Sequence, residues 1–153
     1  GVICVMPTHY KGTQREVDTL NAFIKLMRAS NSISNRLSRK MSEENITESQ
    51  FGILEALYHL GCQNQRELGA KILKSGGNIT MVIDNLIKRG YVERKQNPED
   101  RRAVIISLTK EGEKFIEKYF PVHLNNIVHE FSALTSEELE TLAALCKKVG
   151  KAE

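Results

Sequence analysis

The fold is decided by residues 79–112, which have the sequence ITMVIDNLIKRGYVERKQNPEDRRAVIISLTKEG. Its first apolar residues follow the i, i+3, i+4, i+7 spacing of one helix face, and Gly90 predicts the end of that helix. Residues 91–95 and 103–108 are rich in β-branched or aromatic side chains, and the Asn, Pro and Asp between them favour a turn. The stretch therefore predicts a helix followed directly by a two-stranded hairpin with a charged tip. The predicted inner face of the helix is Ile79, Val82, Ile83 and Leu86.

A second short helix is predicted just before this stretch. Asn64 followed by Glu67 is a helix-start pattern, and the tripeptide SGG at 75–77 breaks the helix before the next one begins near Asn78. Two short helices joined by a glycine-containing turn, with a hairpin after the second, are the elements of a winged helix-turn-helix in their usual order. The apolar residues expected on the earlier helix are Leu68, Ile72 and Leu73.

The remaining chain is predicted to be helical. Apolar residues recur at three- and four-residue steps through residues 15–41 with no Pro or Gly between them, which indicates one long helix. Thr47 with Gln50 is a capping-box pattern that begins a second helix, and Gly61 ends it. The expected buried stripe of this second helix is Phe51, Leu54, Leu57 and Tyr58.

Two further helices follow the hairpin. Thr109 is expected to cap a fifth helix that is interrupted or bent at Pro121, and Thr135 with Glu138 opens a sixth. The predicted fold is therefore mainly α with a small β-wing: a winged helix-turn-helix of six helices and a two-stranded hairpin.

Composition is that of an ordinary globular protein. Of the 153 residues 41% are hydrophobic and 27% charged, and no apolar run approaches the roughly 20 residues needed to span a bilayer. The first residues lack the basic start and apolar stretch of a signal peptide, so we expect a cytoplasmic protein that is not bound to a membrane. The three cysteines show no CxxC or CxxH spacing and the four histidines are widely spaced, so we expect no disulfide framework, metal site or cofactor.

Positive charge is concentrated in one segment. Residues 66–102 hold nine of the 22 Lys and Arg and five of the 19 Asp and Glu, a net charge of +4, whereas the rest of the chain carries −1. Such an excess is expected of a surface that binds phosphate, although solvated charge produces it too.

The helix near residues 78–89 has the shape that a DNA major groove requires. A groove about 12 Å wide admits one helix, which must be apolar inside and offer short donors and acceptors outside. We expect Asn78, Thr80 and Asn85 to reach base edges or phosphates and Met81 to touch a thymine methyl, with Lys88 on the same face. The alternative is an amphipathic surface helix without a partner.

The predicted hairpin favours DNA over that alternative. Its loop holds Arg101 and Arg102 beside Asp100, and Arg94 and Lys95 lie in the flanking strand. Arginine at a wing tip can enter a narrow minor groove, where the potential is most negative. Asp100 either hydrogen-bonds an arginine fork and directs it towards DNA, or pairs with an arginine only to stabilise the turn.

Residues 79–112 also contain a set of motifs in a fixed order: Asp, Leu and a basic residue before Gly, a strand ending in Arg, P-x-D-R-R, and L-T-x-x-G. These motifs resemble the signature of the MarR family of winged-helix repressors. The matching positions are Asp84, Leu86, Arg89, Gly90, Arg94, Pro98, Asp100, Arg101, Arg102, Leu108, Thr109 and Gly112. With TESQFGILEALYHLG at 47–61, the likeness covers about residues 15–150.

The resemblance implies a homodimer that places two recognition helices in successive major grooves of a pseudo-palindromic operator on double-stranded DNA, with half-site centres about 34 Å apart. Accordingly, we expect a flexible segment at residues 1–14, a helical dimerisation region at 15–45 and 109–153, and a DNA-binding lobe at 46–108. The apolar surface of the terminal helices supports association independently, because it exceeds what one small domain needs.

The resemblance also implies a repressor that a small aromatic or phenolic effector releases from DNA, by binding between the dimer helices and the DNA-binding lobe. The alternative is a redox-sensing repressor that acts through a cysteine near the N-terminus, where Cys4 lies. Cys62 and Cys146 are expected to be small packing residues.

Two other classes of function fit less well. An enzyme needs a nucleophile with a base, paired carboxylates or a phosphate-cradling loop, and SGGN at 75–78 lacks the Lys and the spacing of a nucleotide-binding loop, so we expect no enzyme. A winged-helix module that binds only proteins would show an acidic or apolar outer face on its recognition helix, and the net +4 of residues 66–102 disfavours it.

Overall fold

A computed structural model describes residues 9–72 and 78–151. Within them the chain forms six helices and three short strands, and no helix is long and apolar enough to cross a membrane. Cys4, Leu73 and the SGG break at 75–77, together with the first eight residues of the expected N-terminal segment, lie outside the described residues. The elements are α1 (Gln14–Glu43), α2 (Glu48–Leu60), β1 (Gln63–Asn64), α3 (Gln65–Ile72), α4 (Ile79–Lys88), β2 (Val92–Gln96), β3 (Val104–Leu108), α5 (Lys110–Glu130) and α6 (Ser136–Gly150).

Short polar side chains fix the helix starts. The side chains of Thr13, Thr47 and Thr135 each accept a hydrogen bond from the backbone N–H of the residue three positions later. The Glu or Gln side chain of that later residue accepts a bond from the backbone N–H of the threonine. Thr109 caps α5 through the N–H of Gly112 at 3.0 Å. Each such cap stabilises its helix by about 1 kcal/mol. The predicted helix starts at Thr47, Thr109 and Thr135 are confirmed, whereas the Thr13 cap of α1 was not predicted.

The sheet contains one strand more than predicted. β2 and β3 form the antiparallel wing, and β1 pairs with the other edge of β3, with Gln63 opposite Ile106 and Asn64 opposite Ile105. A two-residue strand of polar amino acids has no periodicity of its own, so sequence patterns could not reveal it. The predicted hairpin is confirmed, and β1 ties it to the start of α3.

A single core joins the wing to the helices. Leu54, Leu68, Ile83, Leu86 and Ile106 come from α2, α3, α4 and β3, and all are fully buried. The predicted inner face of α4 is therefore confirmed at its centre, while Ile79 and Val82 are partly buried against this core.

Two details of the helices differ from expectation. Tyr58, expected in the buried stripe of α2, is 40% exposed. Ile53, also in α2, is fully buried in the core. α5 is one continuous helix that includes Pro121, so the expected interruption is wrong, while the alternative of a bend stays a prediction. Pro121 is exposed, so water can satisfy the backbone carbonyl whose intrahelical bond the proline ring removes.

The terminal helices leave apolar faces open. α6 buries none of its residues. On the predicted apolar face of α1 only Met41 is buried, and Met27 is 44% exposed. α1 contacts α5, and the Arg36 guanidinium lies 2.7 Å from the Glu130 carboxylate. That contact lowers the pKa of Glu130.

Aromatic rings line the junction between α5 and α2. Phe115 stacks on Tyr91 and Tyr119, and Tyr119 stacks in turn on His123, with centroid distances of 4.8, 5.8 and 6.1 Å. The Phe51 ring of α2 lies 4.5 Å from that of His123. The Tyr119 hydroxyl and His123 Nδ1 are buried without a hydrogen-bond partner in the described chain. Burial lowers the pKa of His123, against smaller opposing effects of Glu55 and Glu48.

Gly112 is a position where a side chain does not fit. A Cβ atom there would lie 2.0 Å from the Tyr91 backbone oxygen, whereas a Cβ at Gly150 would meet nothing within 4 Å. We expect Gly112→Ala to lower the free energy of unfolding by about 3 kcal/mol, because the α5 start must move away from the wing. Gly150→Ala is the matched control and should cost less than about 0.5 kcal/mol. Urea unfolding measures both, and equal midpoints would contradict the close packing at Gly112.

Stability should fall as the pH drops below about 6.5, the usual pKa of histidine. In this range the unfolded chain takes up a proton at His123 that the folded chain does not, so the free energy of unfolding decreases by up to about 1.4 kcal/mol per pH unit. Urea unfolding of the parent and of His123→Phe between pH 7.5 and 5.5 tests this. The variant should show a shallower dependence, and identical slopes would contradict it.

Candidate nucleic-acid interface

The outer face of α4 is polar and exposed. Thr80, Met81, Asn85 and Lys88 are all accessible to solvent, and Met81 is 57% exposed although it is apolar. They lie opposite the buried Ile83 and Leu86. This is the division of faces that the sequence predicts for a recognition helix.

Asn78 has a structural role at the start of this helix. Its Oδ1 accepts a hydrogen bond from the Met81 N–H at 3.2 Å and so caps α4. The side-chain amide N–H groups of Asn78 make no bond within the described residues. Asn78 thus offers a partner both amide N–H donors, while one lone pair of its carbonyl oxygen is already used by the cap.

Arg94 is not the free cation that the sequence suggests. Its guanidinium donates to Asp84 Oδ1 at 2.9 Å and to Gln65 Oε1 at 3.2 Å. Gln65 in turn donates from Nε2 to the Thr80 hydroxyl at 3.3 Å. These contacts connect β2, α3 and α4, so Arg94 lies inside a polar network between the wing and the two helices.

The wing tip is held by side chain to backbone hydrogen bonds. Asp100 Oδ1 accepts from the Arg102 N–H at 3.0 Å, and Asn97 Oδ1 accepts from the Glu99 N–H at 3.0 Å. Across residues 9–72 and 78–151, Asp100 pairs with neither Arg101 nor Arg102. Both ion-pair interpretations of Asp100 are therefore wrong for the free protein, because the carboxylate bonds the nearer backbone N–H.

The tip arginines are left for a partner. Arg101 and Arg102 are exposed, and the described chain supplies no acceptor for either guanidinium. Lys95 is also exposed, and its ion pair with Glu93 at 3.1 Å is a weak surface contact.

A cleft joins the wing to the helix-turn-helix. Its volume is about 260 Å³, and Arg102 lines it together with residues at the starts of α3 and α4. Arg66 and Gln65 line the same cleft, and sequence reasoning did not select either of them. The position of Arg66 in the basic segment 66–102 could have indicated it as a phosphate-binding residue. No sequence pattern around Gln65 indicates that it lines the cleft. The lining residues are Asn64, Gln65, Arg66, Ile79, Arg102 and Val104.

Arg89 contributes to the fold. Its guanidinium donates to the Asn45 backbone oxygen and lies over the Tyr91 ring at 4.9 Å and the Phe115 ring at 5.8 Å. It therefore fastens the end of α4 to the α1–α2 turn and to α5.

Cys62 and Cys146 are both exposed in the single chain. This corrects the expectation that Cys62 is a packing residue, whereas Cys146 lies in an apolar groove between α5 and α6. Within the described ranges no three His, Cys, Asp or Glu side chains are grouped as a metal ion would require.

Comparisons with known proteins agree with this architecture. The MarR family model matches residues 46–104. The chain is 35% identical to the HTH-type transcriptional regulator YkoM of Bacillus subtilis over 138 residues, which is 90% of each chain. It is also 35% identical to the HTH-type transcriptional regulator MhqR of Bacillus subtilis, over 86% of this chain and 91% of that protein.

Solved structures show the same fold. A MarR-like transcription regulator from Bacillus cereus superposes with a TM-score of 0.79 at 22% identity, covering 88% of this chain and 96% of that one. A mutant of Escherichia coli MarR in complex with operator DNA has a TM-score of 0.73 at 28% identity, with 91% and 99% covered. By fold and by identity over nearly its whole length, this chain belongs to the MarR family of winged-helix transcription regulators.

Proposed function

We propose that the protein is a sequence-specific DNA-binding repressor that binds a pseudo-palindromic operator as a homodimer and is released by a small aromatic or phenolic effector. The observation that carries the proposal is the exposed polar face of α4 beside two wing-tip arginines that lack a partner in the described chain. Because Arg102 and Ile79 line one cleft, the tip and the start of α4 lie side by side and can engage adjacent parts of one duplex.

On this account each exposed side chain has a distinct task. Thr80 and Asn85 hydrogen-bond base edges in the major groove, each contact being worth about 1 to 3 kcal/mol of discrimination. Met81 contacts a thymine methyl, and Asn78 donates to a base or phosphate. Lys88 and Lys95 neutralise phosphates, while Arg101 and Arg102 enter the adjacent minor groove. Arg66 adds a phosphate contact from the start of α3.

The structure of a mutant of Escherichia coli MarR in complex with operator DNA supports DNA binding by a protein of this fold. That protein and this chain share their fold over 91% of the present sequence, and the MarR family model matches residues 46–104, which carry α3, α4 and the wing.

The open apolar faces support a homodimer through α1, α5 and α6. α5 and α6 line a groove of about 580 Å³ with few polar groups, to which Val128, Phe131, Leu139, Leu142 and Cys146 contribute. Covering such a surface in water favours association. A second copy presents the same helices and satisfies the two-fold symmetry that a palindrome requires. Residues 15–45 and 109–153 then form the dimerisation region, with residues 46–108 as the DNA-binding lobe.

The α2–α5 junction supports an effector site. The Tyr119 hydroxyl and His123 Nδ1 are buried polar atoms without partners in the described chain, among the rings of Phe51 and Phe115. An aromatic ligand with a hydroxyl or carboxylate would stack on these rings and satisfy both atoms. Because α5 belongs to the dimerisation region and α2 to the DNA-binding lobe, such a ligand would change the distance between the two α4 helices.

Replacing Arg102 with Ala should weaken binding to a selected operator by about tenfold. The slope of log affinity against log salt concentration should become shallower by about 0.9, the value for one phosphate contact. The fold should be unaffected, since the Arg102 side chain has no partner in the described part of the protein. The matched control is Lys114→Ala, which removes one positive charge from a side chain on α5 that is 75% exposed. Fluorescence anisotropy at several salt concentrations measures both. Equal losses in the two variants would remove the wing tip from the mechanism.

Placing a charge in the α5–α6 groove should separate the dimer. Val128 is 60% exposed and lines the groove, so we expect Val128→Asp to yield a monomer because the dimer would have to bury the new carboxylate. Leu60→Asp is the control, since Leu60 is 56% exposed at the end of α2 and outside the groove. Sedimentation velocity measures both. A parent that sediments as a monomer, or a Val128→Asp variant that remains dimeric, would contradict the interface.

A further inference from the structure

The first half of α5 packs into the core of the DNA-binding lobe. Ile116 is fully buried and Tyr119 is 4% exposed, and both belong to the core that α2, α4 and β3 share. The start of the helix lies close to the wing, because the Thr109 N–H donates to the Tyr91 carbonyl at 3.1 Å and a Cβ atom at Gly112 would meet the same oxygen. Residues 109–120 therefore move with α4 and the wing as one body.

The second half of α5 has a different environment. Val122, Leu124 and Val128 are 47%, 46% and 60% exposed, and Val128 lines the groove that α5 forms with α6. Within residues 122–130, all of which the structure describes, only His123 is buried. This half therefore belongs to the apolar surface on which a second copy is proposed to bind.

Pro121 lies at the change between the two halves. Its ring nitrogen carries no hydrogen, so the Glu117 carbonyl has no intrahelical donor at this point, and Pro121 is exposed. Loss of this bond lowers the resistance of the helix to bending, and sharp helix kinks are found mainly at proline and a few other local features.

α1 is the other helix that joins the lobe to the dimerisation region, and it is weakened near its own exit from the lobe. Met41 in its last turn is buried in the lobe core, and the Ser42 hydroxyl donates to the Ser38 carbonyl at 3.0 Å. A serine bond to the carbonyl four residues earlier slightly destabilises a helix and often bends it. Both helices can therefore bend where they leave the lobe.

We propose that Pro121 is a hinge within α5 and that this hinge lets the dimer accept operators whose half-sites differ in spacing. The inference rests on the proposed homodimer. The body that moves is the DNA-binding lobe together with the first half of α5, so the boundary within this helix falls at Pro121. Pro121 is a positioning residue that touches no base and acts by setting how far each α4 can turn.

The geometry of DNA sets the size of the movement. One additional base pair separates two half-sites by about a further 3.4 Å and turns one relative to the other by about 34°. Shared between two protomers, the rotation is about 17° for each lobe, and kinks at proline exceed about 20°. Bending at Pro121 in both protomers is therefore large enough to follow a change of one base pair.

The Pro121→Ala variant tests the hinge on the selected operator and on two derivatives with one central base pair added or removed. Alanine restores the N–H that the Glu117 carbonyl accepts, and because Pro121 is exposed the change leaves no cavity. We expect the parent to bind both derivatives in preference to random DNA. The variant should lose about tenfold more affinity than the parent on each derivative, because each lobe must break the restored hydrogen bond in order to turn. Fluorescence anisotropy measures the ratios.

Asn125→Ala is the matched control on the same helix. It raises the helix propensity of an exposed position in α5 but adds no backbone N–H, so its ratios between derivatives and operator should equal those of the parent. DNA deformation contributes equally to all three proteins and cancels in the comparison. Equal losses in the parent and in Pro121→Ala would overturn the inference, as would a parent that binds the derivatives no better than random DNA. Either result leaves the DNA-binding function in place.

A second measurement follows the lobes without DNA. Cys62 is exposed at the end of α2 and accepts a spin label in a chain that also carries Cys4→Ser and Cys146→Ala. Double electron–electron resonance then gives the distribution of distances between the two lobes of a dimer, which should be narrower with Pro121→Ala than without it. Equal widths in a protein that sediments as a dimer would overturn the inference alone. A labelled parent and an unlabelled parent that both sediment as monomers would remove the proposed homodimer and the inference with it.

Discussion

The structure depends on one constraint, which is that α4 must bury one face completely while leaving the other free. Ile83 and Leu86 are fully buried against the core that α2, α3 and β3 share. Moving both side chains into water would cost several kcal/mol, so the helix cannot rotate about its axis without losing much of a small domain's stability. Thr80, Met81 and Asn85 therefore face outwards in every molecule, and the wing on β3 is fixed relative to them.

Local signals explain why so much of this fold could be predicted from sequence. Capping at Thr47, Thr109 and Thr135 involves residues three positions apart, and the buried face of α4 follows the helical period. The β1 strand and the Gln65–Arg94 contact join segments that are distant in the chain, so no local pattern encodes them. Within a loop, even neighbouring residues do not determine the partner of a side chain. The position of Asp100 beside two arginines predicts an ion pair, but its carboxylate accepts a hydrogen bond from the Arg102 backbone N–H.

The sequence predicts where the residues of the candidate site lie better than it predicts which hydrogen bonds they make. The exposed residues of α4 and the wing tip lie where the sequence predicts. Asn78 and Arg94 are engaged within the protein, because polar groups at the ends of elements find partners in neighbouring elements before any ligand binds. Arg94 would then serve a DNA complex by holding α4 and the wing together, whereas Asn78 caps α4 through Oδ1 and keeps its amide N–H groups for a partner.

The central claim is that a dimer presents two α4 helices to successive major grooves. Methylation interference on a duplex selected by the protein tests it most directly, since dimethyl sulfate modifies guanine N7 in the major groove and adenine N3 in the minor groove. The account predicts two clusters of guanine interference related by a two-fold axis and centred about 10 base pairs apart, with adenine interference beside each where the wing inserts. A single cluster, or interference confined to the minor groove, would contradict it.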